Sequence, residues 1–125
     1  MFPDRGPVGD ADWCGCCVAH DLAYWRGGTE AERLAADRAL ERCVAGTARS
    51  SDLAGAMFAG VRAGGSPYLA TSYRWGYGWP YGRGYRALGA QEQAQADALQ
   101  AAYLARNPAL QCPAPAPAAP TPLTR

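Results

Sequence analysis

The chain contains no lysine: all twelve of its basic residues are arginine. Beside so much alanine, glycine and proline, that absence reads as the codon bias of a GC-rich genome and not as a binding signature. Formal net charge is only +1, which leaves little whole-molecule attraction to nucleic acid or to an anionic membrane. No apolar run reaches the roughly 18 residues that a membrane-spanning helix needs. The opening Met1-Phe2-Pro3-Asp4-Arg5-Gly6 has neither a basic start nor an apolar core, so no signal peptide is visible. Large core-filling side chains are scarce, because alanine inflates the 49% apolar content. A domain of this length has a modest core and usually needs staples. Five cysteines are present to supply them. Acidic residues are missing between Asp52 and Glu92, and histidine is missing everywhere except at His20.

What is present divides into four helical stretches, an aromatic segment and a tail. Pro3, Gly6, Pro7 and Gly9 make residues 1 to 11 a loop. Asp12 then N-caps a helix to about Arg26, which Gly27-Gly28 ends. Thr29-x-x-Glu32 is a capping box that opens a second helix to about Val44, stopped by Gly46. Ser51 or Asp52 caps a third helix through Arg62, closed by Gly64-Gly65. Residues 66–89 interleave tyrosine and tryptophan with glycine, proline and arginine. The alternation Tyr73, Trp75, Tyr77, Trp79 predicts an extended or hairpin-like run, with glycines loosening its register. Residues 90–106 form a last helix with Leu99, Tyr103 and Leu104 as its apolar stripe. A domain over 1–106 is followed by a Pro/Ala-rich tail, 107–125, that carries Cys112.

Residues three and four apart share a helix face, so Cys17, His20, Asp21 and Tyr24 gather on one side of the first helix. The stretch Cys16-Cys17-Val18-Ala19-His20-Asp21 with Tyr24, followed by Asp37-Arg38 and Cys43 on the next helix, resembles the two antiparallel helices of the secreted phospholipase A2 family, including its bacterial members. The resemblance spans about residues 12–44. It implies a mostly helical fold in which two antiparallel, disulfide-linked helices carry the site, with further short helices and a Gly/aromatic-rich loop. It implies that His20 is the general base, that Asp37 orients it, and that Tyr24 hydrogen-bonds the same carboxylate. It implies that Asp21 is a calcium ligand. Calcium needs six to eight oxygens, roughly, and the family completes the shell with backbone carbonyls of an upstream glycine-rich loop.

The match departs from the family at the N-terminus. The segment Gly6 to Asp12 resembles the stretch just after the family's calcium loop, so the loop itself is expected at or before Met1, as if the chain were clipped; alternatively Gly6 and Gly9 form a shortened loop. Clipping would also account for the missing signal peptide and the odd cysteine count. The resemblance further implies a Cys16–Cys43 disulfide, while Ala23 and Ala36 replace both members of another bonded pair. Cys112 could tie the tail to Cys14 or Cys17, and the sequence does not decide which.

The expected activity is calcium-dependent hydrolysis of the sn-2 ester of glycerophospholipids. The protein is expected to act as a monomer at a phospholipid surface, with no nucleic-acid partner, in an extracellular or periplasmic setting. Two rivals stand beside it. Cys14, Cys16, Cys17 and His20 are four ligands of the kind zinc or an iron–sulfur cluster takes, although neighbouring helical cysteines diverge by about 100°. The aromatic, arginine-bearing segment suits a membrane interface, and so also a non-catalytic lipid-binding module.

Overall fold

The computed structural model describes residues 14–108. Four helices account for most of them: α1 Cys14–Arg26, α2 Glu30–Ala48, α3 Ser51–Gly64 and α4 Ala90–Arg106. There is no strand among the described residues. The expected cap at Asp12, the loop over 1–11 and Cys112 in the tail lie outside them.

The chain doubles back between α1 and α2 through Gly27 and Gly28, both at positive φ (73° and 136°), a backbone region that favours glycine. Thr29 then starts α2 as predicted. Its hydroxyl accepts from the Glu32 amide while the Glu32 carboxylate accepts from the Thr29 amide. Three cross-links show the antiparallel register. Cys16 is disulfide-bonded to Cys43, His20 meets Asp37, and Tyr24 meets Arg33. Each step forward on α1 is matched by a step back on α2. The core between α1, α2 and α3 consists of Cys16, Cys17, Leu40, Val44, Ala54, Met57 and Val61. It is small, as the composition implies.

Two predicted boundaries move. Gly46 does not stop α2, which continues to Ala48. Ala45 and Ala48 pack against the core, and that packing outweighs the modest intrinsic cost of a helical glycine. The stop comes at Arg49, in the left-handed conformation (φ 54°). Ser50, not Ser51 or Asp52, then caps α3 by accepting from the Leu53 amide.

The aromatic segment, 66–89, is a series of turns and not a hairpin. Its alternation has another cause: it caps the C-terminus of α1. The last four carbonyls of a helix have no partner within it. Here the Ala23 carbonyl accepts from Gly27 N, Tyr24 from Gly76 N, Trp25 from Gly78 N, and Arg26 from the Trp79 indole. The Tyr77 hydroxyl reaches the Asp21 carbonyl, and the Trp75 indole reaches Gly28 O. Aromatic residues supply side-chain donors, and the intervening glycines let backbone approach backbone. A Cβ on Gly78 would stand 2.5 Å from the Trp25 carbonyl oxygen.

The fourth helix is peripheral. Of its residues only Ala96 is buried, and the predicted stripe residues Leu99 and Tyr103 remain about half exposed. Ionic contacts hold it instead, chiefly Arg26 with Asp97 and a two-pronged Arg83–Glu92 pair.

This account predicts opposite outcomes for two glycine substitutions. Gly55→Ala meets nothing within 4 Å on α3 and should stabilise by up to about 1 kcal/mol. Gly78→Ala should destabilise by about 2 kcal/mol, lowering Tm by roughly 8 °C or more. Thermal denaturation of both checks it, and equal effects would remove the capping account.

Candidate active site

The face of α2 that looks inward carries Arg33, Asp37, Leu40 and Val44, all buried. Two of these four are charged, and a buried charge is tolerated only when it is paired and hydrogen-bonded. Asp37 has no exposed surface at all. Its Oδ1 receives His20 Nε2 at 2.7 Å and the Tyr24 hydroxyl at 2.7 Å. Its Oδ2 receives Tyr24 again at 3.0 Å and Arg62 Nη1 at 2.7 Å. Burial pushes the Asp37 carboxyl up, but the hydrogen bonds from His20, Tyr24 and Arg62 outweigh it and hold the group below its ordinary value. It is therefore an anion that only accepts, and the neutral His20 ring must present Nε2–H to it. The lone pair is then on Nδ1. That nitrogen faces the side of α1 where the Asp21 carboxylate stands, 4.0 Å away.

Tyr24 is held in turn. Arg33 Nε donates to its hydroxyl at 2.9 Å, and its ring packs edge-on against Trp75. Burial keeps the Tyr24 hydroxyl protonated far above neutrality. Gly65 makes room for it, since a Cβ there would come within 2.6 Å of the ring. Arg33 is 3% exposed and has a partner for each nitrogen. Nη1 donates to the Tyr85 hydroxyl at 2.7 Å, and Nη2 donates to the Val61 and Arg62 carbonyls at 2.9 Å. It thus caps the end of α3 while orienting Tyr24.

His20, Asp37 and Tyr24, the three residues expected to work together, are joined by direct hydrogen bonds. Asp21 sits beside them with its side chain about half exposed. Burial, with Asp21 and Tyr103 nearby, pushes the Tyr77 hydroxyl up to about 12, so it remains a donor to the Asp21 carbonyl. For calcium, Asp21 is a hard carboxylate with its side chain about half exposed, and one carboxylate is too few to fill the shell. No group of three or more His, Cys, Asp or Glu residues that could hold a metal occurs among the described residues. The glycines at 6 and 9 lie outside them. The Cys/His zinc alternative does not survive, because the Cys16 sulfur is bonded to Cys43 and is not available as a thiolate. No described helix is long and apolar enough to cross a membrane.

Sequence reasoning did not single out Arg33 or Arg62. Arg33 had a readable signal: it lies at i−4 from Asp37 on the stripe that continues through Leu40 and Val44, so two opposite charges fall on a core-facing row. Arg62 had none beyond lying in the acid-free stretch. No protein-family model, curated protein or solved structure matches the chain.

The folded-state pKa of Asp37 is depressed, so its stabilising contribution is complete above the ordinary value of 3.8 and is lost as pH falls through the lower folded value. Asp37→Asn should flatten that acid limb in pH-dependent melts. At pH 7 it should cost about 3–5 kcal/mol, because two guanidiniums lose their counter-charge. A melt with the wild-type acid limb would show that Asp37 is not the group responsible. Tyr24→Phe keeps the ring but strands the Arg33 Nε donor and should cost about 1–3 kcal/mol in denaturant titrations.

Proposed function

We propose that this protein is a calcium-dependent phospholipase A2-like hydrolase that cleaves the sn-2 ester of glycerophospholipids. The observation that carries the reading is the His20–Asp37 pair. One ring nitrogen is tied to a buried carboxylate that Tyr24 and Arg62 hold still, and the other is directed to the flank of α1 where Asp21 stands.

In this reading Nδ1 of His20 removes a proton from a water molecule as that water attacks the ester carbonyl carbon. The imidazolium that forms is stabilised through Nε2–H by Asp37, which stays ionised throughout. Collapse of the tetrahedral species breaks the ester C–O bond, and His20 returns its proton to the departing lysolipid alcohol. Tyr24 and Arg33 keep Asp37 from rotating, so the ring is presented in one orientation. Asp21 would hold calcium together with oxygens from the chain preceding Cys14, and the bound ion would supply positive charge for the ester carbonyl oxygen. The Cys16–Cys43 bond supports an extracellular or periplasmic setting, since such bonds persist in oxidising compartments. The exposed aromatic residues Tyr68, Tyr73 and Tyr81 support work at a membrane surface, where such rings settle at headgroup depth.

Fatty-acid release from mixed phospholipid micelles tests the proposal. Release should require calcium, stop with a chelator, and fall at least about 1,000-fold in His20→Gln, whose amide can still donate to Asp37. Asp21→Asn should raise the calcium concentration needed for half-maximal rate. Undiminished release in His20→Gln, or release indifferent to chelator, would exclude this mechanism. No release from the wild type would favour a lipid-binding module on the same scaffold.

A further inference from the structure

A small cavity of about 200 Å³ opens between the aromatic segment and the first half of α4. It is below the roughly 300 Å³ at which small-molecule sites usually begin, so it is sized for one or two side chains and not for a cofactor. Trp25, Trp79, Pro80 and Leu99 are its apolar walls, and Arg26 and Gln95 its polar ones. Trp79 is held on two sides: its indole N–H donates to the Arg26 carbonyl at 2.7 Å, and the Arg83 guanidinium lies 4.5 Å over its ring. That wall is formed before anything enters. The site is also unfinished. Leu99 is 50% exposed, and Arg26 Nε is buried without a hydrogen-bond partner.

A rigid wall of tryptophan and proline beside a spare donor suits one kind of segment. Polyproline II chains dock on aromatic grooves, because their backbone is already extended and loses little freedom. Each proline brings a carbonyl and no N–H, so such a chain has acceptors to spare. This protein carries one of its own. Pro113, Pro115, Pro117, Pro120 and Pro122 make up half of residues 113–122, four of the other five are alanine, and none is charged. The segment also reaches. α4 runs antiparallel to α1: Gln93 and Asp97 meet Arg26 at the end of α1, while Tyr103 and Arg106 face Val18 and Asp21 nearer its start. The chain therefore leaves α4 at the end away from the small cavity. From Arg106 back to Ala96 is about 15 Å of helix. Residues 107–114 in polyproline geometry would span about 25 Å, enough to double back and bring Pro115 to the cavity.

We propose that residues 115–120 of this same chain dock in that cavity as a polyproline II strap, with a proline ring against Trp25 and Trp79 and a backbone carbonyl at Arg26. The strap would cover Leu99. It would also fasten the fourth helix, of which only Ala96 is buried, to the end of α1. Neither the His20–Asp37 pair nor a lipid enters into this docking.

Indole N–H resonances of the full-length, ¹⁵N-labelled chain test it. Combining Pro115→Gly, Pro117→Gly and Pro120→Gly removes the strap without touching the helices. The Trp25 and Trp79 signals should shift in that variant, while Trp75, buried on the Gly28 carbonyl, should not. A synthetic peptide of residues 113–122 should return both signals to their wild-type positions, and the return should saturate. Wild type should need at least tenfold more peptide for any change, because its own strap competes at roughly millimolar effective concentration. Leu99→Arg should reproduce the shifts of the triple variant and, combined with it, abolish the response to peptide. Signals unmoved by the glycine substitutions, a response that does not saturate, or an equal response in wild type would overturn the proposal. So would shifts that track protein concentration, which would place the strap on a second copy. Movement of all three indole signals together would mean that the tail acts on the fold as a whole, and the docking would again be wrong.

Discussion

A carboxylate with no exposed surface organises this fold. Asp37 has four short contacts to satisfy it, and they come from every direction the core offers: His20 and Tyr24 from α1, and Arg62 from α3. Arg33, one turn before it on α2, steadies Tyr24 and ties the end of α3. Remove that anion and Arg33 and Arg62 lose the counter-charge they share. An apolar side chain of similar size would often stabilise a core at least as well. Keeping a full polar network in a protein whose remaining core is mainly alanine, valine and cysteine therefore argues that the network is retained for the orientation it imposes. Buried networks of this kind fix one geometry and tolerate few alternatives.

The disulfide and the network cooperate along the same pair of helices. Cys16–Cys43 pins one end of the α1–α2 pair, and Tyr24–Arg33 pins the other. His20 and Asp37 fall midway between. A ring nitrogen and a carboxylate so bracketed cannot slide by a helical turn relative to each other. That constraint turns a hydrogen bond of 2.7 Å into a fixed feature of the fold.

Much of this is legible in the sequence, and the reasons are local. The Thr29 capping box, the glycine breaks and the face shared by His20 and Tyr24 come from helical geometry, which acts over three or four residues. The end of α2 is not legible, because Gly46 is governed by tertiary packing of Ala45 and Ala48. The aromatic segment reads as a hairpin because alternation has two causes. A strand alternates to show one face to a core; this segment alternates between side-chain donors and glycines because it closes over a helix end. Arg62 gives no sign because its partner lies 25 residues away, and no local pattern links them. Gly6 and Gly9, the glycines that the resemblance offers for a shortened calcium loop, lie outside the described residues.

The way α1 ends has a consequence for synthesis. Three of its four terminal carbonyls are matched by residues 76 to 79, some fifty positions later in the chain. While the chain is still emerging, α1 and α2 can pair and their cysteines can meet, yet three carbonyls in the last turn of α1 have only water to bond. That turn holds Tyr24, the residue that grips Asp37. The helix bearing His20 is therefore translated some fifty positions before the segment that finishes it. A nascent chain that has not reached Trp79 holds the right side chains on a frayed support.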